Sequence, residues 1–122
     1  MKYLCIITLL FISAITQAQI VVIPDANFKY ALLNYYPVID TNDDGEIQLS
    51  EAEEILWLDV SHNYIVSLEG IQSFINIQYL DCSFNDLTEI DLSQNIQLTS
   101  LNLRINELTN LNLTFNPLLI FL

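Results

Sequence analysis

The sequence is poor in positive charge, glycine, proline and cysteine. Only 3 of its 122 residues are Lys or Arg, against 15 Asp and Glu, so the formal net charge is −12. Nucleic acids and anionic lipid surfaces are bound by clustered basic side chains, so this composition argues against both partners. Two Gly and three Pro exclude a collagen-like or linker composition. The hydrophobic content of 52% predicts a folded chain, one small domain or a piece of an array.

The chain begins with an apolar run that predicts a secretory signal. Lys2 gives a positive start, residues 4–15 are apolar, and small residues lead up to Ala18. A membrane anchor or a buried helix is the alternative, but the run is short for a membrane span and no stop-transfer charge follows it. We therefore predict a signal peptide over residues 1–18, cleaved after Ala18, and a secreted or cell-surface protein.

One cysteine remains after this cleavage, because Cys5 lies within the signal. Cys82 therefore has no partner for an internal disulfide. It stands at a leucine position of the repeat described below. A reactive thiol is one interpretation, and a small buried hydrophobic residue is the one that we favour.

An acidic segment, DTNDDGEIQLSE at residues 40–51, matches D-x-[DN]-x-[DN]-G-x5-E at every fixed position. Gly45 stands where such a loop turns sharply around a hard cation. The predicted Ca²⁺ ligands are the side chains of Asp40, Asn42 and Asp44, the backbone carbonyl of Glu46, Gln48 through water, and both carboxylate oxygens of Glu51. An acidic surface turn before a helix capped by Ser50 is the alternative.

The surroundings of this segment differ from those of a sensor EF-hand. We predict a helix over about residues 25–36, with Asp25 as its N-cap, and Pro37 separates it from the loop. A short helix over about residues 50–56 follows the loop. A single loop of this kind indicates a structural calcium site in an N-terminal cap over residues 19–56.

From Trp57 onward, equivalent residues recur every 21 or 22 positions. They include Leu58, Leu80, Leu101 and Leu122, and also Asn63, Asn85 and Asn106. The pattern L-x-x-L-x-L-x-x-N-x-L is that of the leucine-rich repeat, in which alternate leucines enter a core that neighbouring coils close. We predict an α/β-class, β-rich solenoid over residues 57–122, with about three repeats and the start of a fourth.

Finer features of the solenoid also follow from the pattern. We expect parallel strands on the concave face and a ladder of asparagines that satisfies backbone groups at each bend. A half-period echo, with Asn95 and Asn116, predicts a mostly extended convex side. The first repeat has room for a short helical or 3₁₀ turn over residues 68–74.

The outward strand positions are the candidate binding face. Trp57 and Tyr79 are expected to form an aromatic shelf beside Asp59 and Asp81, suited to a basic or carbohydrate-bearing partner. A solvated β face, with Trp57 packed under the cap, is the alternative. Neighbouring carboxylates can share a proton in catalysis, but the repeat itself explains this spacing and no nucleophile motif accompanies it. We therefore predict no enzymatic activity.

These residues resemble the secreted leucine-rich repeat proteins of Bacteroidetes, which are similar to internalins. YLDCSFNDLTEIDLSQNIQL at residues 79–98 resembles their repeats, and IPDANFKYAL at residues 23–32 with the acidic segment resembles their cap. The resemblance implies a binding scaffold and leaves the ligand open.

The predicted function is non-catalytic recognition of an extracellular protein or glycan, with a structural Ca²⁺ site. A spacer belonging to a longer surface protein is the alternative. The apolar residues LLIFL at the C-terminal end also predict self-association, since edge strands and apolar ends attract further copies.

Overall fold

The computed structural model describes residues 18–120 and 122. The predicted signal peptide therefore lies, except for Ala18, outside the described residues. Two α-helices, one 3₁₀-helix and three strands follow in chain order. They are α1 (Ala26–Leu33), α2 (Leu49–Glu53), β1 (Trp57–Asp59), the 3₁₀-helix (Ile71–Ser73), β2 (Tyr79–Asp81) and β3 (Ser100–Asn102).

The three strands form one parallel sheet in the order β1-β2-β3. Leu58 pairs with Leu80, which pairs with Leu101, so the register follows the sequence repeat. These central leucines are buried while their strand neighbours are exposed or half-buried. Because successive side chains of a strand point to opposite faces, each strand contributes one leucine to the core and two side chains to the open face. The prediction of parallel strands is confirmed.

The core continues behind the sheet without a helix on the return segments of the second repeat. Leu87, Leu92 and Leu98 are buried there in extended or turn conformations. In the first repeat the return contains the 3₁₀-helix, as the sequence predicts. Cys82 is completely buried, and this burial raises the pKa of its thiol to about 12. The interpretation of Cys82 as a small hydrophobic residue is therefore confirmed.

Buried asparagine side chains connect neighbouring coils. The Oδ1 atom of Asn85 accepts hydrogen bonds from the backbone N–H groups of Asn63 and Ile65, both at 3.0 Å. Its Nδ2 atom donates to the carbonyls of Val60 and Cys82 at 3.0 Å. One amide thus satisfies four backbone groups that the bend removes from the strand ladder. The predicted ladder is confirmed for Asn85 and Asn106, whereas the side chain of Asn63 donates only to the nearby carbonyl of Ser61 at 2.7 Å.

The same arrangement recurs elsewhere in the chain. Asn106 accepts from the backbone N–H of Leu87 at 3.0 Å and donates to the carbonyl of Cys82 at 2.9 Å. On the opposite side, the buried Asn95 and Asn116 donate to carbonyls of the preceding coils. These two residues are the half-period positions that the sequence indicates.

Both predicted helices are shorter than expected. Helix α1 has Asp25 as its N-cap, as predicted, but it ends at Leu33 and not near residue 36. Tyr35 leaves the helix and its hydroxyl accepts a hydrogen bond from the backbone N–H of Asp59 at 2.9 Å. Helix α2 begins at Leu49, within one residue of the predicted start, but it ends at Glu53, so the predicted end near residue 56 was wrong.

The Asp25 carboxylate joins α1 to the first repeat. Its Oδ1 atom accepts from the N–H groups of Asn27 and Phe28 at 2.9 Å, which caps the helix. Its Oδ2 atom accepts from the N–H groups of Val66 and Ser67 at 2.9 and 3.0 Å. A single side chain therefore closes the helix end and holds a loop about forty positions away.

Replacing Asn85 with Ala should destabilise the fold strongly. The substitution leaves several buried backbone groups without partners, and each costs roughly 1–3 kcal/mol, so we expect a loss of at least about 3 kcal/mol in the free energy of unfolding. Urea denaturation followed by circular dichroism measures it. Asn110→Ala, at an exposed position, is the control and should change stability little. Equal stability of the two variants would contradict the role of the ladder.

Stability should also fall in acid. Burial raises the pKa values of Asp25 and Asp81, but hydrogen bonds to their carboxylates outweigh it and hold both pKa values below their ordinary range. The unfolded chain therefore takes up protons first, and the stabilisation present at neutral pH disappears as the pH drops below about 4. Urea denaturation between pH 7 and pH 3 tests this. The Asp25→Asn variant should have a lower free energy of unfolding at pH 7, and this free energy should fall less on acidification than that of the unmodified chain. An unmodified chain whose free energy of unfolding rises in acid would contradict the prediction.

Candidate functional site

The acidic loop of residues 40–51 has a backbone fixed by its own carboxylates. Asp40, only 7% exposed, accepts hydrogen bonds from the N–H of Asp44 at 3.2 Å through Oδ1 and from the N–H of Gly45 at 2.9 Å through Oδ2. Gly45 has φ +79°, the left-handed conformation for which the sequence provides a glycine. Buried Ile39 and Ile47 anchor the two sides of the loop in the core.

Side-chain amides surround the fifth position of the loop. The Oδ2 atom of Asp44 accepts from Nε2 of Gln48 at 2.7 Å and from Nδ2 of Asn42 at 3.2 Å. The Gln48 bond, followed by one from the backbone of Glu46, lowers the pKa of Asp44. The amide hydrogens therefore supply the positive partial charge that this carboxylate requires.

Glu51 bridges the two ends of the loop. Its Oε1 atom accepts from both the N–H and the hydroxyl of Thr41 at 2.7 Å, and its Oε2 atom accepts from the N–H of Gln48 at 3.0 Å. Burial raises the pKa of Glu51, but these hydrogen bonds outweigh it and the net effect is a lowered pKa. The N-cap of α2 is consequently Gln48, and not Ser50 as the alternative interpretation expected.

The donor chemistry of the loop fits a hard cation. It combines carboxylates, amide oxygens and a carbonyl in a backbone already turned at Gly45, and Ca²⁺ takes such oxygen ligands. Across residues 18–120 and 122, however, no three His, Cys, Asp or Glu side chains are grouped as metal ligands. Protein N–H groups, with the Thr41 hydroxyl at Glu51, are the direct partners of Asp40, Asp44 and Glu51.

A lysine that the sequence analysis did not connect with the loop lies at its side. Lys29 of α1 forms an ion pair with Glu46, with Nζ 2.7 Å from Oε2. The contact engages the side chain of Glu46, whose predicted role as a ligand uses its backbone carbonyl instead. The helical position of Lys29, one turn after the N-cap, carries no sequence signal for this pairing.

The open face of the sheet brings the four predicted face residues together. The rings of Trp57 and Tyr79 stack with centroids 3.6 Å apart and planes inclined by 11°. Asp59 and Asp81 are partners in the strand register directly beside them. Trp57 is 62% exposed, so it is not packed under the cap. The two rings form a shelf along the first two strands.

Hydrogen bonds keep the Asp81 carboxylate ionised. Its Oδ1 atom accepts from the N–H and hydroxyl of Ser83 at 2.9 and 2.6 Å, and its Oδ2 atom accepts from Nδ2 of Asn102 at 2.8 Å. Burial raises the pKa of Asp81, yet these bonds outweigh it, so the pKa is lowered. Asp59 makes the same kind of turn, since its Oδ1 atom accepts the backbone N–H of Ser61 at 3.0 Å, so both carboxylates serve as turn-forming groups.

A second stacked pair was missed by the sequence analysis. His62 and Phe84 lie with ring centroids 4.1 Å apart and planes inclined by 14°. Both residues have positive φ, +58° and +55°, as does Ile105 at +52°. Bulky residues adopt this conformation rarely, and neither Gly nor Asp marks these positions. The available signal was their position directly before each ladder asparagine, where the bend imposes a positive φ on the backbone.

Within the part of the chain that the structure describes, no helix has the length and apolar character needed to cross a membrane.

No protein-family model matches the chain, and no curated protein does. Solved structures of Listeria monocytogenes proteins do match it. The functional domain of InlJ, whose structure includes a cysteine ladder, is 30% identical with a TM-score of 0.72; the match covers 87% of this chain and 23% of that one. An internalin, inlF, is 24% identical with a TM-score of 0.75, covering 89% of this chain and 33% of that one. Internalin C2 is 21% identical with a TM-score of 0.71, covering 86% and 47%.

The chain thus spans less than half the length of each of these three structures. At such identities the agreement with inlF and internalin C2 concerns the fold alone. These three neighbours of the small parallel sheet are Listeria internalins, which are leucine-rich repeat proteins.

Proposed function

We propose that this chain is a non-catalytic binding module, secreted or held at the cell surface, that recognises an extracellular protein or glycan. The observation that carries the proposal is the stacked pair Trp57 and Tyr79 beside Asp59 and Asp81 on the open sheet face. Rigid aromatic side chains provide large contact areas at low entropic cost, and they are enriched in recognition surfaces. The likeness to internalins supports the scaffold.

The proposed architecture is a leucine-rich repeat solenoid with an N-terminal cap. The regular register of the strands and the asparagine ladder support the solenoid. The Asp25 carboxylate, which holds the loop at Val66 and Ser67, supports the cap. A chain of this kind buries its first coil under α1 and α2 and leaves its sheet face open.

Secretion through the predicted signal at residues 1–18 belongs to the same proposal. A spacer inside a longer surface protein is the second candidate, because the chain corresponds to only 23% of the InlJ domain that it resembles. Contact between copies through the C-terminal end is also proposed. Ile120 and Leu122 are 75% and 77% exposed there, and such apolar side chains favour association.

We propose further that the acidic loop binds Ca²⁺ as a structural ion. The residues that would hold it are the ligands predicted from the sequence, which are Asp40, Asn42, Asp44, Glu46, Gln48 and Glu51. The ion would supply positive charge at the centre of a loop whose carboxylates now depend on amide hydrogens. The amides of Asn42 and Gln48 would then present oxygen in place of N–H.

Calcium should raise the melting temperature at millimolar concentration, since extracellular calcium modules bind at about 10⁻⁴–10⁻³ M. Glu51→Gln should abolish this increase, because it removes a charged ligand. Asp43→Asn is the matched control: it removes the same charge from the same loop at an exposed, non-ligand position with φ +56°, which Asn accepts. A calcium response equal in all three proteins, or absent from the unmodified chain, would refute the site.

Removing the shelf should abolish partner binding and leave the fold intact. We expect Trp57→Ala and Tyr79→Ala to lose retention on an array of extracellular proteins and glycans, because each truncates half of the stack. Circular dichroism verifies folding. Tyr30→Ala, on the exposed side of α1, removes an aromatic ring elsewhere and should bind normally. A chain that no array member retains would favour the spacer.

A further inference from the structure

A groove of about 520 Å³ lies between the loop after α1 and the beginning of β1. Tyr35, Tyr36 and Trp57 provide its aromatic lining. Tyr36 is 90% exposed and Trp57 is 62% exposed, so both rings remain accessible. The groove adjoins the shelf because Trp57 belongs to both.

Two contacts hold the groove in shape. The hydroxyl of Tyr35 accepts the backbone N–H of Asp59 at 2.9 Å, which ties the loop to β1. Trp57 is held by its stack with Tyr79, whose centroid lies 3.6 Å away. Walls that are ordered before binding reduce the entropic cost of capturing a ligand.

The groove is negatively charged. Glu54 and Asp59 line it, and Asp81 lies beside Asp59 in the strand register. Desolvation and the negative charges of Asp81 and Asp59 raise the pKa of Tyr79, as expected for a ring in a negative potential.

Compensating positive charge is scarce. The described residues contain two Lys or Arg side chains, Lys29 and Arg104, and neither lines the groove. Lys29 is paired with Glu46. Asp59 uses its Oδ1 atom to accept the N–H of Ser61 at 3.0 Å, and within the described residues no hydrogen bond engages its Oδ2 atom.

We propose that this groove binds an arginine side chain of a basic segment in the extracellular partner, an inference that rests on the proposed binding function. A guanidinium is planar and weakly hydrated, so it stacks on an aromatic ring and at the same time donates to a carboxylate. An ammonium satisfies the charge but stacks less well. A neutral sugar stacks on the ring but leaves the negative charge uncompensated.

Trp57 is the chain's single tryptophan, so its fluorescence reports on the groove. The unmodified chain is titrated with an acetylated, amidated tetra-arginine peptide at low salt, and with the corresponding tetra-lysine peptide. We expect a saturable fluorescence change with tetra-arginine and an affinity at least about threefold weaker for tetra-lysine.

Two variants test the walls of the groove. Asp59→Asn should weaken tetra-arginine binding at least about fivefold while keeping the local turn, because Asn102 makes the same turn in the third strand by accepting the N–H of Arg104 at 3.2 Å. Tyr36→Ala should weaken it about threefold or more. Asp91→Asn, an exposed carboxylate outside the groove, is the matched charge control and should bind as the unmodified chain does.

Several outcomes would overturn the arginine assignment. The first is the absence of a saturable fluorescence change at millimolar peptide, and the second is equal affinity for the two peptides. The third is an equal loss of tetra-arginine affinity in Asp59→Asn and Asp91→Asn, which would indicate long-range attraction only. Chitotriose, a neutral probe, should leave the fluorescence unchanged. If it alone saturates the signal, the groove binds sugar: the arginine assignment fails and the binding module stands. Loss of array binding in Tyr79→Ala but not in Tyr36→Ala would likewise limit recognition to the shelf.

Discussion

Each strand of the sheet buries its central leucine beside the leucine of the next strand, and the rest of the structure depends on this packing. Strands of three residues provide few ladder hydrogen bonds, so the bend after each strand needs other partners. The amide of Asn85 provides them across two coils at once. Once the coils are held at this spacing, Leu58, Leu80 and Leu101 close one core, and the residues between them face outward at the same spacing. The aromatic shelf is therefore a consequence of the stacking that makes the fold stable.

The large acidic excess has a structural use that the net charge alone does not reveal. Asp25 caps a helix and holds a distant loop, while Asp59, Asp81 and Asp91 each accept a backbone N–H two residues ahead. Neutral side chains such as Asn102 perform the same turn in the third strand. The turns therefore do not require carboxylates. Because carboxylates are concentrated near the shelf, they produce a negative potential there that a basic partner would neutralise.

Periodicity made the sheet predictable, because a leucine every 21 or 22 residues has few interpretations besides stacked coils. The register, the buried Cys82 and both asparagine series follow from it. The helix ends could not be predicted in this way, because Tyr35 leaves α1 for a contact with Asp59 that no local pattern encodes. The positive φ values at His62, Phe84 and Ile105 were missed for a related reason: they are imposed by the bend and not by the residue type. At the loop, spacing predicts the candidate ligand positions, whereas the amide partners of Asp44 and the Lys29 pair depend on three-dimensional packing.

The acidic loop and the aromatic shelf are connected by a very short stretch of chain. Helix α2 begins at the end of the loop, with Glu51 in its first turn, and only residues 54–56 separate it from Trp57. The carbonyl of Glu53 accepts from Nδ2 of Asn76 at 2.8 Å, and the carbonyl of Leu56 accepts from the N–H groups of Gln78 and Tyr79 at 2.8 and 3.1 Å. These bonds join the segment after the loop to the backbone that carries both rings of the shelf. A structural cation in the cap would act on recognition by fixing the position of Trp57, without contacting the partner itself.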